Sequence, residues 1–215
     1  MTPLTPLPPL VPPLAVGFDL DMTLIDSRPG IARAYGILAE ETGTEIDTDL
    51  VVSRLGPPVE IEMANWFPPE DVQLMSDRYR KLYAEYGVAG VTPLPGAREA
   101  LAAVHAAGGR TVVVTGKFTP NARLNLEALD MRVDALHGDV FAAGKAEALR
   151  AEGVRVYVGD HLGDVEGARE ADAFPVAVTT GPYDAESLRA AGAGVVLTDL
   201  TAFPAWLTGY LAAPC

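Results

Sequence analysis

From residue 93 onward, short apolar runs alternate with stretches of helical periodicity. Residues 111–115 (T-V-V-V-T), 133–137, 154–158, 174–178 and 194–197 read as strands, the first buried on both faces. Helices are predicted between them over 97–107, 121–129, 144–152, 164–170 and 187–191, with a terminal apolar helix around Trp206. That alternation predicts a parallel, Rossmann-like sheet. A further apolar strand, residues 16–20, lies near the start and carries an acid, Asp19. A carboxylate at the end of a buried strand is costly unless something uses it.

Residues 29–91 follow a different pattern. After Pro29, Ile31, Ala34, Tyr35, Leu38 and Ala39 recur at helical spacing, and Gly43 closes the run. Helices are expected over 49–55, 59–67 and 70–86, with Gly56-Pro57-Pro58 and Pro68-Pro69 as breaks. The stretch contains no predicted strand and is too long for an ordinary crossover. It is therefore expected to be an inserted, all-helical cap domain, with residues 15–28 and 92–215 forming the α/β core. The insert holds 11 acids and 5 basic residues, which makes its outer surface acidic. Residues 1–14 carry six prolines and no basic n-region. They read as a Pro-rich disordered tail, not a signal peptide.

Charge and composition narrow the function. A formal net charge of −13 argues against a nucleic-acid binder. It leaves room for small anionic substrates, because a bound cation inverts the local sign. The single cysteine, Cys215, permits no internal disulfide and fits a cytoplasmic setting. No apolar run is long enough for a membrane span. A monomer or a homodimer is expected.

The polar residues that follow the strands carry the chemistry. Asp19 and Asp21 end the first strand, and Thr115-Gly116-Lys117 end the 111 strand. Lys145 opens a helix, and G-D-H-L-G-D (159–164) follows the 154 strand. Parallel strands share one carboxyl edge, where ligands bind in open α/β sheets. Clustered carboxylates repel unless a cation joins them, and oxygen-only ligands suit Mg²⁺. No cysteine or paired histidines stand at zinc spacing.

D-L-D-M-T-L (19–24) resembles the first motif of the haloacid dehalogenase-like hydrolases. V-V-V-T-G-K resembles their second motif, Lys145 their third, and V-G-D-H-L-G-D their fourth. The resemblance spans the chain apart from the tail and is nearest to the phosphoglycolate-phosphatase branch with its small helical cap. It implies Asp19 as a nucleophile that forms an aspartyl-phosphate and Asp21 as general acid and base. Mg²⁺ would lie between the Asp19 carboxylate, the Asp21 backbone carbonyl and Asp160. Thr115 and Lys145 would hold phosphoryl oxygens, and Asp164 would orient Lys145 or water. Lys117 would reach the substrate phosphate, and Gly116 would offer its backbone N–H.

Three positions depart from the pattern: Met22 and Gly116 replace a usual glycine and asparagine, and Ala146 replaces a usual proline after Lys145. Arg54, beside the Gly56 break, is the candidate grip on a substrate carboxylate, with Arg28 a weaker one. His161 is a candidate second-shell or substrate group, and His137 a more distant one. The expected activity is Mg²⁺-dependent hydrolysis of a small phosphomonoester. A phosphomutase using the same residues and a non-catalytic binding module are the alternatives. A dehalogenase has no need of a second acid at 21, and no G-x-G-x-x-G follows the first strand to suit a dinucleotide.

Overall fold

The computed structural model describes residues 14–141 and 143–213. The Pro-rich segment 1–13 and Cys215 lie outside the described residues.

A six-stranded parallel sheet forms the centre, in the order β5-β4-β1-β6-β7-β8. Its strands are β1 (Ala15–Phe18), β4 (Arg110–Val114), β5 (Ala135–His137), β6 (Val154–Gly159), β7 (Phe174–Val178) and β8 (Val195–Leu197). β1 is buried along its whole length between β4 and β6. The helices α5 (Ala97–Ala106), α6 (Thr119–Ala128), α7 (Ala143–Ala151), α8 (Leu162–Glu170) and α9 (Ala185–Ala190) alternate with these strands. α10 (Phe203–Ala212) packs back on α5. One buried cluster joins Phe18, Val113 and Phe203, and a second joins Val112, Leu149 and Tyr157. Successive strand residues enter different clusters, as side-chain alternation in a sheet requires.

The helical insert matches the expected cap: α1 (Arg28–Thr42), α2 (Thr48–Ser53), α3 (Val59–Met63) and α4 (Val72–Leu82). Pro29 opens α1, and Gly43 ends it at φ 69 with its N–H on the Ala39 carbonyl. The expected long helix over 70–86 is broken, because α4 widens into a π-turn at Tyr83–Gly87. Ile31, Tyr35, Leu38, Met63 and Tyr83 of the insert join the same buried cluster as Phe18 of the sheet.

One feature of the insert's base differs from the sequence expectation. The two linkers pair as an antiparallel ribbon, β2 (Ile25–Asp26) with β3 (Thr92–Pro93). Two-residue strands are too short to leave a period in the sequence.

Candidate active site

β1 stops at Phe18, one residue before the acid, so the expected strand over 16–20 overshoots. The Asp19 N–H still bonds the Val158 carbonyl at 2.8 Å, and the chain then turns sharply. The Leu20 carbonyl accepts from both Leu24 and Ile25 at 2.9 and 3.1 Å. Met22 sits in this turn at φ 62, a left-handed conformation that favours glycine. Its carbonyl accepts from Thr180 Oγ1 at 2.5 Å, and its side chain is buried. The side chain at the departing position is therefore absorbed by the core while the turn keeps its glycine-like backbone.

That turn, together with the ends of β4 and β6 and the first turns of α7 and α8, gathers the site at one sheet edge. Asp19, Lys145, Asp160 and Asp164 are all buried there, and Asp164 is only 2% exposed. Lys145 Nζ donates to Asp19 Oδ1 at 2.9 Å, Asp164 Oδ1 at 2.5 Å and the Tyr157 hydroxyl at 3.2 Å. Those three acceptors use its three hydrogens. Tyr157 in turn donates to the Val114 carbonyl at 2.6 Å, one residue before Thr115. Asp160 Oδ1 accepts from Thr23 Oγ1 at 2.6 Å, and Asp164 Oδ2 accepts from the His161 N–H at 3.0 Å.

The electrostatics follow from burial. Loss of water pushes the Asp19 and Asp160 carboxyls above the usual range; Lys145 pulls both back down, and neighbouring carboxylates add to the rise. Burial alone would lower the Lys145 ammonium, but Asp164 and Asp19 outweigh it and hold it well above its ordinary value. Carboxylate oxygens of Asp19, Asp160 and Asp164 lie within 4.8 Å of one another. A buried trio of hard oxygen donors, two with raised proton affinity, is chemically suited to a divalent cation. Gly181 leaves room beside it, since a Cβ there would fall 1.8 Å from Asp160 Oδ2. Asp164 already serves Lys145 and the His161 N–H, which leaves Asp19 and Asp160 with more free lone pairs.

A second ion pair faces this cluster. Lys117 Nζ donates to Asp21 Oδ1 at 2.9 Å and lies 4.1 Å from the centre of the Tyr83 ring. The Asp21 carboxylate is thus committed to Lys117, outside the acidic trio. Burial lowers Lys117, but Asp21 and Tyr83 more than compensate and keep it above its ordinary value.

A cavity of about 350 Å³ lies between this edge and the insert. Asp19, Asp21, Thr115, Lys145, Asp160 and Asp164 all line it. Gly116, Lys117, Arg54 and His161 line it too. Thr115 is 1% exposed, and its Oγ1 accepts from the Lys117 N–H at 3.3 Å. His161 caps α8 by accepting from the Gly163 N–H at 3.0 Å, and burial holds its imidazole below the ordinary value. Arg54 lines the cavity but is engaged, with Nη2 on Glu62 Oε1 at 2.6 Å.

Two candidates fall elsewhere. Arg28 is half exposed and forks onto Asp26 at 2.7 and 2.9 Å, because the ribbon sets that acid beside it. His137 ends β5, but its ring bonds Glu152 at 2.7 Å, away from the cavity lining.

Sequence reasoning missed Tyr157 and the acids Glu60 and Glu62, and gave Thr23 no role. Thr23 had a signal, its place in D-L-D-M-T-L. Tyr157 had only a weak one, a tyrosine inside an otherwise apolar strand.

The sequence profile described as haloacid dehalogenase-like hydrolase matches residues 16–169. The chain belongs to this family, and family, fold and buried aspartate cluster together make it an enzyme of the phosphatase type. Among its relatives, a phosphoglycolate phosphatase of Rhodospirillum rubrum is 32% identical over 220 residues, covering 91% of each chain. One of Caulobacter vibrioides is 32% identical over 211 residues, covering 85% of each. In fold, the chain is similar to a haloacid dehalogenase-like hydrolase of Streptococcus pneumoniae, with a TM-score of 0.78 at 23% identity. That likeness covers 92% of this chain and 98% of the other. No helix among the described residues is long and apolar enough to cross a membrane.

Proposed function

We propose that this protein is a Mg²⁺-dependent hydrolase of small phosphomonoesters that works through an aspartyl-phosphate on Asp19. The observation that carries the reading is the buried Lys145–Asp19 pair at 2.9 Å, facing Asp160 across one sheet edge. A carboxylate nucleophile beside a fixed ammonium and further hard oxygen donors suits attack on a phosphoryl group.

In this reading an Asp19 oxygen bonds to phosphorus as the bond to the leaving alkoxide breaks. Asp21 gives that oxygen a proton. It then takes a proton from water, which attacks phosphorus and frees Asp19 with release of phosphate. Lys145, fixed by three acceptors, offsets charge on the phosphoryl oxygens without reorganising. Thr115 supplies a hydroxyl to the same group. Lys117, which pairs with Asp21 in this structure, turns to the incoming phosphate in this reading and leaves Asp21 free to carry the proton. Asp164 orients Lys145 and closes the first turn of α8. Asp19, Asp160 and the Asp21 backbone carbonyl would hold Mg²⁺, which supplies charge neutralisation to the phosphate when bound.

A cavity of about 350 Å³ under the insert favours small substrates over folded phosphoproteins and nucleic acid. The names of the relatives make phosphoglycolate the reference substrate. A cytoplasmic setting fits the single cysteine. The test is phosphate release from phenyl phosphate by protein stripped with EDTA and checked for residual metal. Activity should be absent after stripping and return with Mg²⁺; full activity in the stripped protein would reject the metal dependence.

A further inference from the structure

The cap wall of the cavity holds two guanidinium groups, and both are already neutralised by carboxylates of the same wall. Arg54 donates to Glu62 Oε1 at 2.6 Å, and Trp66 Nε1 donates to that same oxygen at 2.8 Å. Glu62 is therefore pinned on two sides, and its side chain is only 15% exposed. Arg80 bonds Glu60 through Nη2 and Asp77 through Nη1, the latter at 2.9 Å. Its guanidinium lies 4.8 Å from the centre of the Phe118 ring, and its carbonyl is bound by Asn121 of α6 at 3.1 Å.

We propose that Glu60 and Glu62 set the specificity of this site: by fixing Arg80 and Arg54, they fit the cap wall to an uncharged, hydroxyl-bearing leaving group instead of a carboxylate. This deepens the phosphatase reading and rests on it.

Further observations support it. Seven carboxyl-bearing and four cationic side chains line the cavity, so acids outnumber cations there. A divalent cation offsets that surplus, and the two cap guanidiniums already face Glu62 and Glu60, so a second substrate anion finds no uncommitted cation on this wall. For Arg54 to grip a carboxylate, it must either leave Glu62 or hold the substrate's charge beside that acid. Such like-charge placement is the usual device for rejecting a ligand.

The wall does offer what a hydroxyl needs. Glu60 and Glu62 both line the cavity, and each keeps acceptor capacity beyond its guanidinium partner. Tyr35 and Tyr79, with ring centres 4.4 Å apart, give the same wall an apolar face for carbon-bound hydrogens. Size agrees as well. About 350 Å³ lies in the range that takes ligands much larger than a two-carbon acid.

The test compares kcat/KM for sorbitol 6-phosphate, 2-phosphoglycolate and phenyl phosphate with Mg²⁺, in the parent protein and in Glu62→Gln and Glu60→Gln. The parent should prefer the polyol ester over phosphoglycolate by roughly tenfold or more, about one charge-assisted contact. Glu62→Gln, which frees Arg54, should move that ratio toward phosphoglycolate by roughly tenfold. Glu60→Gln gives an independent reading through Arg80 should the first variant fail to fold. A parent that prefers phosphoglycolate, or a ratio unmoved in both folded variants, overturns the inference while hydrolysis of phenyl phosphate leaves the phosphatase reading standing. Hydrolysis of none of the three esters would overturn both.

Discussion

The cap meets the core backbone to backbone at Gly56 and Gly116: a Cβ on Gly116 would stand 3.0 Å from the Gly56 carbonyl oxygen. Gly56 has φ 135, and a Cβ on it would fall 2.7 Å from the His161 ring. The cap loop thus fits between Gly116 and His161 because neither glycine has a side chain. An asparagine at 116, which the resemblance makes usual, would have to displace this loop. Gly116→Asn should therefore hold the cap outward and lower kcat/KM on a small ester by roughly three- to tenfold, through weaker exclusion of water. Limited proteolysis within residues 54–58 should speed up in the same variant. Unchanged cleavage and unchanged kinetics would mean that the cap closes without this contact.

Tyr157 joins two elements of the site, since its hydroxyl accepts from Lys145 and donates to the carbonyl before Thr115. It is a positioning residue and need not touch substrate. Tyr157→Phe should lower kcat by roughly tenfold with a smaller change in KM, because Lys145 loses one of its three acceptors. It should also cost about 1–3 kcal/mol of stability, since the Val114 carbonyl loses a buried partner. Stability loss with kcat within twofold of the parent would leave Tyr157 a purely structural tyrosine.

The Glu152 carboxyl is held below the usual range, first by the His137 hydrogen bond and then by Arg110, against a partial desolvation. A depressed acid stabilises the fold above its unfolded pKa, and that contribution disappears as pH falls through the folded value. Glu152→Gln should therefore cost about 1 kcal/mol at pH 7. The difference should shrink steadily below about pH 4.3, the ordinary glutamate value. Urea unfolding of both proteins across that range checks it. A constant gap from pH 7 to 3 would assign the loss to packing.

Much of the architecture was legible because parallel α/β folds repeat one signal: an apolar run, a glycine or polar exit, then a helical period. Residues 154–164 show it well, with V-R-V-Y-V running into G-D-H-L-G-D. The same logic located Asp19, Thr115, Lys145, Asp160 and Asp164 at one edge, since parallel strands all end there. What stayed hidden depends on contacts between distant residues. The ribbon of Ile25–Asp26 with Thr92–Pro93 has no period of its own. The pairing of Lys117 with Asp21 spans 96 positions and needs the sheet to form first. Arg54 read as a free cation because its neutralising partner, Glu62, sits on another helix behind a Gly-Pro-Pro break. Met22 looked like a departure from the turn, yet the fold keeps a left-handed backbone there and buries the side chain.

The central claim is that Asp19 carries the phosphoryl group. The most direct measurement mixes the Mg²⁺-loaded protein with excess phenyl phosphate, quenches in acid within the first turnover and maps the modified peptide by mass spectrometry. One phosphoryl group should appear on the peptide containing Asp19, and Asp19→Asn should show none while losing turnover by more than about a thousandfold. Turnover by the parent with no phosphorylated Asp19 peptide, together with an Asp19→Asn variant within tenfold of the parent, would contradict the account.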